Sequence, residues 1–156
     1  MRKFAALSGV LALTLGLGAI AQIAEDPFAD QVETRHGLML AMANELGKLG
    51  AIMKGEAPYE QATATKAAEG VAALASVISM DYFPAGSEVG KSADSFALPE
   101  LWANEADFLA KIADLNKAAG EMVVAAGTSG DAIKSAMLAV GGACSGCHKP
   151  YRQPEN

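Results

Sequence analysis

Cysteine is scarce in this sequence, which has only two, Cys144 and Cys147, among 156 residues. An exported domain stapled by disulfides needs more cysteines, spread more widely along the chain. Histidine is equally scarce, with two in all, and a structural zinc site needs four cysteine or histidine ligands. These shortages argue against a disulfide framework and against a zinc site, and they leave the closely spaced cysteine pair to be explained.

Basic clusters and phosphate-binding loops are missing as well. The chain has a net charge of −6 and no concentrated group of lysine and arginine after residue 21, although contact with a phosphate backbone needs one. No Gly-rich loop of the G-x-x-x-x-G-K type occurs. The carboxylates, Glu105 and Asp107 among them, fall at predicted helix starts or on polar faces, where solvated charges are expected. We therefore expect neither a nucleic-acid partner nor an enzyme.

The N-terminus has the pattern of a secretory signal peptide. Two basic residues precede an uncharged apolar run over residues 4–20, and the run closes on Ala-Ile-Ala, which is typical of a leader cut after Ala21. An uncleaved membrane anchor is the alternative, but the run barely reaches the length that spans a bilayer. We expect residues 1–21 to be removed on export to the periplasm. Residues 22–156 then form one domain with 10 basic and 18 acidic residues, a net charge of −8.

Apolar residues recur at helical spacing in the first half of the remaining chain. Predicted helix A covers residues 27–53, with Asp26 as its cap and Pro27 at its first position. Its apolar stripe consists of Met39, Met42, Leu46, Leu49 and Met53. Predicted helix B begins at Pro58, and its stripe consists of Ala67, Val71, Leu74 and Ile78.

The second half begins with a stretch that has no periodicity. Residues 81–98 accumulate proline, glycine and serine, which predicts a long irregular connection, and connections of that length usually have a function. Predicted helix C starts at Pro99, ends near Ala126, and carries the stripe Leu101, Phe108, Ile112, Leu115, Ala119 and Met122. After a turn, predicted helix D aligns Ile133, Met137, Val140, Cys144 and Cys147 on one face.

Four amphipathic helices without strand-like alternation predict an all-α protein, an antiparallel four-helix bundle in which only the B to C connection is long. Aromatic residues make up only 6% of the chain, whereas methionine occurs seven times. Such a composition suits close helix packing around a large flat cofactor, although the same residues could form an ordinary core.

One motif carries chemistry. Residues 144–148 read Cys-Ser-Gly-Cys-His, and C-x-x-C-H is the attachment signature of a c-type haem. Residues three and four apart share a helix face, so Cys144 and Cys147 can each form a thioether to the porphyrin while His148 presents its imidazole to the iron. The alternatives are a dithiol redox motif, which lacks its usual strand and helix surroundings, a zinc site short of ligands, and a local disulfide that leaves His148 without a role.

The position of this motif near the C-terminus, followed by Tyr151 and Arg152, resembles the class II c-type cytochromes, the cytochrome c' family and its low-spin relatives. Residues 35–39, Arg-His-Gly-Leu-Met, are similar to the family pattern in helix A, and residues 99–102, Pro-Glu-Leu-Trp, are similar to the start of its helix C. The resemblance spans essentially the whole mature chain. It implies a four-helix bundle with one covalent haem c, with its iron, on the C-terminal helix.

The resemblance also implies roles for individual residues. Arg35 would lie near a haem propionate, Phe96 would cover the haem, and Arg152 would lie near the proximal imidazole. One departure from the family is Pro150, which removes an amide donor and disfavours helical geometry at Lys149. The family often dimerises through helices A and B, so a homodimer is plausible.

The sixth coordination position decides the function that the resemblance implies. Met39 lies where low-spin members place a methionine ligand and act in electron transfer, with redox proteins of the periplasm as partners. If Met39 only packs over the haem, the iron is five-coordinate and binds small gases such as nitric oxide or carbon monoxide. His36 is more typical of a surface histidine than of an iron ligand. A third hypothesis is a bundle that binds no haem and serves protein interaction.

Overall fold

The structure, a computed structural model, describes residues 26–154, which fold as an all-helical bundle. The helices are α1 (Ala29–Lys54), α2 (Gln61–Ser76), α3 (Glu100–Ala103), α4 (Glu105–Ala126) and α5 (Gly130–Tyr151), with a short 3-10 turn at Met80–Tyr82. Four of them form the bundle, because α1 and α4 each pack against both α2 and α5. The predicted fold class is confirmed. The predicted signal peptide lies outside the described residues, and none of the helices within them is long and apolar enough to cross a membrane.

One end of the bundle is closely packed. Alanine side chains let the helices approach each other there, and those of Ala64, Ala67, Ala68, Ala119 and Ala126 are buried. Larger side chains fill the remaining space, with Leu49, Met122 and Ile133 fully buried. Close packing at this end leaves the opposite end, where α1 begins and α5 ends, as the part of the bundle that is open enough for a cavity.

The first two helices begin later than the sequence predicted. Asp26 is not the cap of α1: its Oδ1 accepts a hydrogen bond from the Phe28 amide at 2.9 Å, which forms a turn before the helix starts at Ala29. Predicted helix B likewise starts at Gln61 rather than at Pro58. At the other end of α1, Gly55 takes the left-handed conformation with φ of 75°, as is usual after a helix C-terminus.

Predicted helix C is two helices. The break lies at Asn104, whose backbone is not helical and whose side-chain Nδ2 donates to the Glu100 carbonyl at 3.0 Å. An asparagine side chain that bonds to nearby backbone in this way competes with the regular helix ladder. The prediction of one uninterrupted helix from Pro99 is therefore wrong at Asn104. The stripe from Phe108 to Met122 lies on α4.

The connection between α2 and α3 is irregular, as predicted, and it pairs with the C-terminus of the chain. The Leu98 amide donates to the Tyr151 carbonyl at 2.9 Å, and the Gln153 amide donates to the Phe96 carbonyl at 2.8 Å. Pro150 lies inside α5, which continues through Lys149 to Tyr151. The expectation that Pro150 disturbs Lys149 is wrong, because the last turn is held from outside by this pairing.

Candidate functional site

A cavity of about 550 Å³ opens between α1, α4, α5 and the long connection. Its volume lies in the usual range for sites that enclose a small molecule or cofactor, roughly 300–1,000 Å³. The structure brings every site residue named from the sequence to the wall of this one cavity: Arg35, Met39, Phe96, Cys144, Cys147, His148 and Arg152.

Helix α5 contributes the two thiols and the imidazole. Cys144 and Cys147 lie one turn apart, both half-buried, and they are not joined as a disulfide. Burial raises the pKa of Cys144, and burial together with the neighbouring Cys144 raises the pKa of Cys147 to about 11, so both are thiols at neutral pH. Within residues 26–154 no three His, Cys, Asp or Glu side chains converge to hold a metal ion directly.

Helix α1 contributes another wall of the cavity. Met39 and Met42 line it from successive positions of the predicted stripe, and Met42 is almost completely buried. Leu40 lines the same cavity but is 65% exposed, so it stands at the rim. The cavity therefore has a methionine on one helix and the Cys-x-x-Cys-His motif on another.

Arg35 also lies in the wall, and its guanidinium is buried among neutral acceptors. Nη1 donates to the Tyr82 carbonyl at 3.2 Å and to Ser87 Oγ at 3.0 Å, and Nη2 donates to the Ser87 carbonyl at 2.8 Å and to Ser95 Oγ at 2.6 Å. The group also stacks on the Phe83 ring at 5.0 Å. Burial lowers the pKa of Arg35, but arginine remains charged in proteins. These four bonds engage both Nη groups of Arg35.

Phe96 spans the rim of the cavity. The centroid of its ring lies 5.9 Å from the centroid of the His36 ring and 5.7 Å from Cζ of Arg152. The ring is 40% exposed. His36 is therefore a rim residue, and Phe96 connects the beginning of α1 to the chain that follows α5.

A polar contact beside the cysteines was not predicted. The Tyr151 hydroxyl donates to Asp107 Oδ2 at 2.6 Å, and Lys111 Nζ lies 3.6 Å from Asp107 Oδ1. The hydrogen bond between Tyr151 and Asp107, followed by burial, raises the pKa of Tyr151 to about 12. The same hydrogen bond lowers the pKa of Asp107. The sequence placed Asp107 among solvated carboxylates, and only its position one helical turn before Lys111 was a local signal of pairing.

Other cavity residues come from predicted stripes that were assigned to the core alone. These apolar side chains are Leu101, Phe108, Ile112 and Leu115. Their helical spacing marked them as buried, but spacing cannot distinguish a residue that faces a packed core from one that faces a cavity.

The residues present fit a haem. Apolar side chains from α1, α3 and α4 surround the cavity, two thiols three residues apart stand on one wall, and an imidazole follows directly. A porphyrin needs apolar faces, thioether positions on one edge and a nitrogen ligand for its iron, and the cavity offers all three.

Comparison with known proteins points in the same direction. A family model described as Cytochrome C' matches residues 30–152. Cytochrome c-554 from Cereibacter sphaeroides is 48% identical to this chain, covering 93% of it and 96% of the relative. A solved structure of cytochrome c' from Rhodobacter Spheriodes superposes with a TM-score of 0.77 at 29% identity, covering 82% of this chain and 98% of that one. A nitric oxide complex of a mutant cytochrome c prime from Alcaligenes xylosoxidans gives a TM-score of 0.72 at 28% identity, with coverage of 81% and 97%.

Proposed function

The chain belongs to the cytochrome c' family of class II c-type cytochromes, whose members carry covalently attached haem c, and we propose that it is a periplasmic electron carrier rather than an enzyme. The observation that carries the proposal is that Met39 from α1 lines the same cavity as the Cys-x-x-Cys-His motif of α5. One methionine and one histidine on separate helices can supply both axial ligands of a six-coordinate iron, as they do in cytochromes c. The partner would be another redox protein of the same compartment.

Each residue of the motif has a proposed role. Cys144 and Cys147 hold the porphyrin through two thioether bonds, and His148 supplies the proximal nitrogen to the iron. Once bound, the haem supplies one-electron exchange at its iron, and the protein holds it in place.

The α1 wall sets the properties of the iron. Met39 would place a thioether sulfur at the sixth position, which raises the reduction potential and keeps the coordination unchanged between oxidation states. Met42 of α1 and Leu115 of α4 line the cavity with apolar surface. An apolar shell limits the access of water and raises the potential further. Unchanged coordination and limited access of water both lower the reorganisation energy of electron transfer.

Gas binding is the second candidate function, and one observation favours it. The nitric oxide complex of cytochrome c prime shares the fold with a TM-score of 0.72, and the apolar wall that would protect a methionine ligand could equally surround a small gas. In that case Met39 packs over an open, five-coordinate iron. A homodimer is compatible with both candidates.

The optical spectrum of the purified protein, oxidised and reduced, with and without carbon monoxide, tests the proposal. Electron transfer through a Met39-ligated iron predicts sharp low-spin bands, a methionine-to-iron charge-transfer band in the oxidised protein and no response to carbon monoxide. Broad high-spin bands with rapid carbon monoxide binding would replace this function with gas binding. A protein that shows no haem bands after purification would refute both.

A further inference from the structure

The long connection is tied to the start of α1 by a charged side chain. We call residues 83–98 the strap. Asp26 Oδ2 accepts hydrogen bonds from Ser92 Oγ and from the Ala93 amide, both at 2.6 Å. An irregular segment has few hydrogen bonds of its own to fix its course, so long-range contacts of this kind determine where it lies.

Arg35 makes the second and more deeply buried attachment. Arg35, Ser87 and Ser95 are at most 5% exposed, and buried polar groups are costly unless they satisfy one another. The planar fork of Arg35 joins two serines that are eight residues apart in the strap, and Ser95 Oγ in turn donates to the Ser87 carbonyl at 2.6 Å. Three of the four bonds of its Nη groups go to the strap, and the fourth goes to the carbonyl of Tyr82, just before the strap begins.

The residue after Ser95 is Phe96, which covers the rim of the cavity. Its backbone position is set on one side by Ser95 and on the other by the bond from the Gln153 amide to its carbonyl at 2.8 Å. Its ring lies between His36 and Arg152. Displacement of Ser95 would therefore move the ring and admit water to the cavity.

We propose that Arg35 is a positioning residue whose guanidinium clamps the strap at Ser87 and Ser95 and thereby holds Phe96 across the open side of the haem cavity. This role differs from pairing with a propionate, because it depends on the fork geometry toward two hydroxyls and not on charge alone. A lysine ammonium is a point charge and cannot bridge both serines in the same way. The inference goes beyond the proposed function and is the same whether the iron is six-coordinate or open.

Two variants of the haem-loaded protein test the clamp while keeping the positive charge. Ser95→Ala removes one acceptor, and Arg35→Lys removes the fork. Ser76→Ala is the matched control, because its exposed hydroxyl donates to the Ala73 carbonyl of its own helix. The first readout is amide hydrogen exchange at Val89 and Leu98. The second is the reduction potential of the haem, which reports solvent access.

We expect strap amides in both variants to exchange about tenfold faster than in the wild type, as the loss of a hydrogen bond to a charged group implies, while α2 amides keep their rates. The potential should fall, because water at the rim stabilises the more highly charged oxidised haem.

Wild-type exchange rates in both variants would overturn the clamp. Equal acceleration in α2, or a loosened strap with an unchanged potential, would overturn the positioning role. If Arg35→Lys does not fold, Ser95→Ala decides alone. An open iron in the spectrum would change the proposed function without altering this result.

Discussion

The Tyr151 hydroxyl donates a 2.6 Å hydrogen bond to Asp107 Oδ2, which joins the last turn of α5 to the first turn of α4. Tyr151 is buried, and its ring packs edge-on against Phe108 at 5.5 Å. The contact lies on the turn that follows His148 and holds that turn next to α4. Pro150 removes one amide donor from this turn, and both this contact and the bond from the Leu98 amide to the Tyr151 carbonyl attach the turn from outside the helix.

Tyr151→Phe should lower the free energy of unfolding at pH 7 by about 1 kcal/mol, the ordinary net contribution of one hydrogen bond. The pKa of Tyr151 is raised from 10.0 to about 12, so the phenol stabilises the fold fully below pH 10, and this contribution is lost as the pH rises through about 12. Denaturant titrations of variant and wild type should therefore converge across that interval.

The acid side of the same pair provides an independent check. The pKa of Asp107 is lowered from 3.8, first by the bond from Tyr151, so its contribution is present above pH 3.8 and is lost as the pH falls through the lowered value. Asp107→Asn should remove the contribution of Asp107 at the acid end and reduce that of Tyr151 at the alkaline end, where burial of the phenol still raises its pKa. A difference between wild type and Tyr151→Phe that stays constant from pH 7 to 12 would contradict the assignment.

The packed end of the bundle should be sensitive to truncation without any effect on the haem. Ile133 is completely buried, so Ile133→Ala should destabilise the fold by about 3 kcal/mol. Leu138 on the same helix is 78% exposed, and Leu138→Ala should change stability by less than about 0.5 kcal/mol. Chemical denaturation measures both, and the optical spectrum of Ile133→Ala should match the wild type. A shifted spectrum would mean that the two ends of the bundle are coupled.

The sequence predicted the parts of this protein that depend on local pattern. Apolar spacing identified the faces of all four bundle helices, including buried Met42 and Leu49, since that spacing directly reports which side of a helix avoids water. It could not foresee the break at Asn104, where a side chain outcompetes the backbone ladder. Nor could it foresee that Arg35 would bond to Ser87, because a contact between residues 52 apart leaves no local trace.

Covalent attachment should depend entirely on the two cysteines. The chain has no others, so the double variant Cys144→Ser, Cys147→Ser should release all haem on denaturation and extraction, as a pyridine haemochrome assay of the protein fraction would show. Each single variant should keep one thioether bond and retain haem. Haem that stays with the denatured double variant would refute attachment at these positions.

Met39→Leu is the substitution that separates the two candidate functions. Leucine conserves volume but offers no sulfur, so a Met39-ligated iron should change from six-coordinate low-spin to five-coordinate and begin to bind carbon monoxide, and the potential should fall because the thioether ligand is lost. The control is Met42→Leu, which changes a buried methionine of the same helix that also lines the cavity. That variant should keep the wild-type spectrum. If Met39→Leu also leaves the spectrum unchanged, the sulfur is not a ligand and Met39 only packs over the haem. If both variants convert the iron, the spectrum responds to the packing of the α1 wall, and ligation by Met39 alone is refuted.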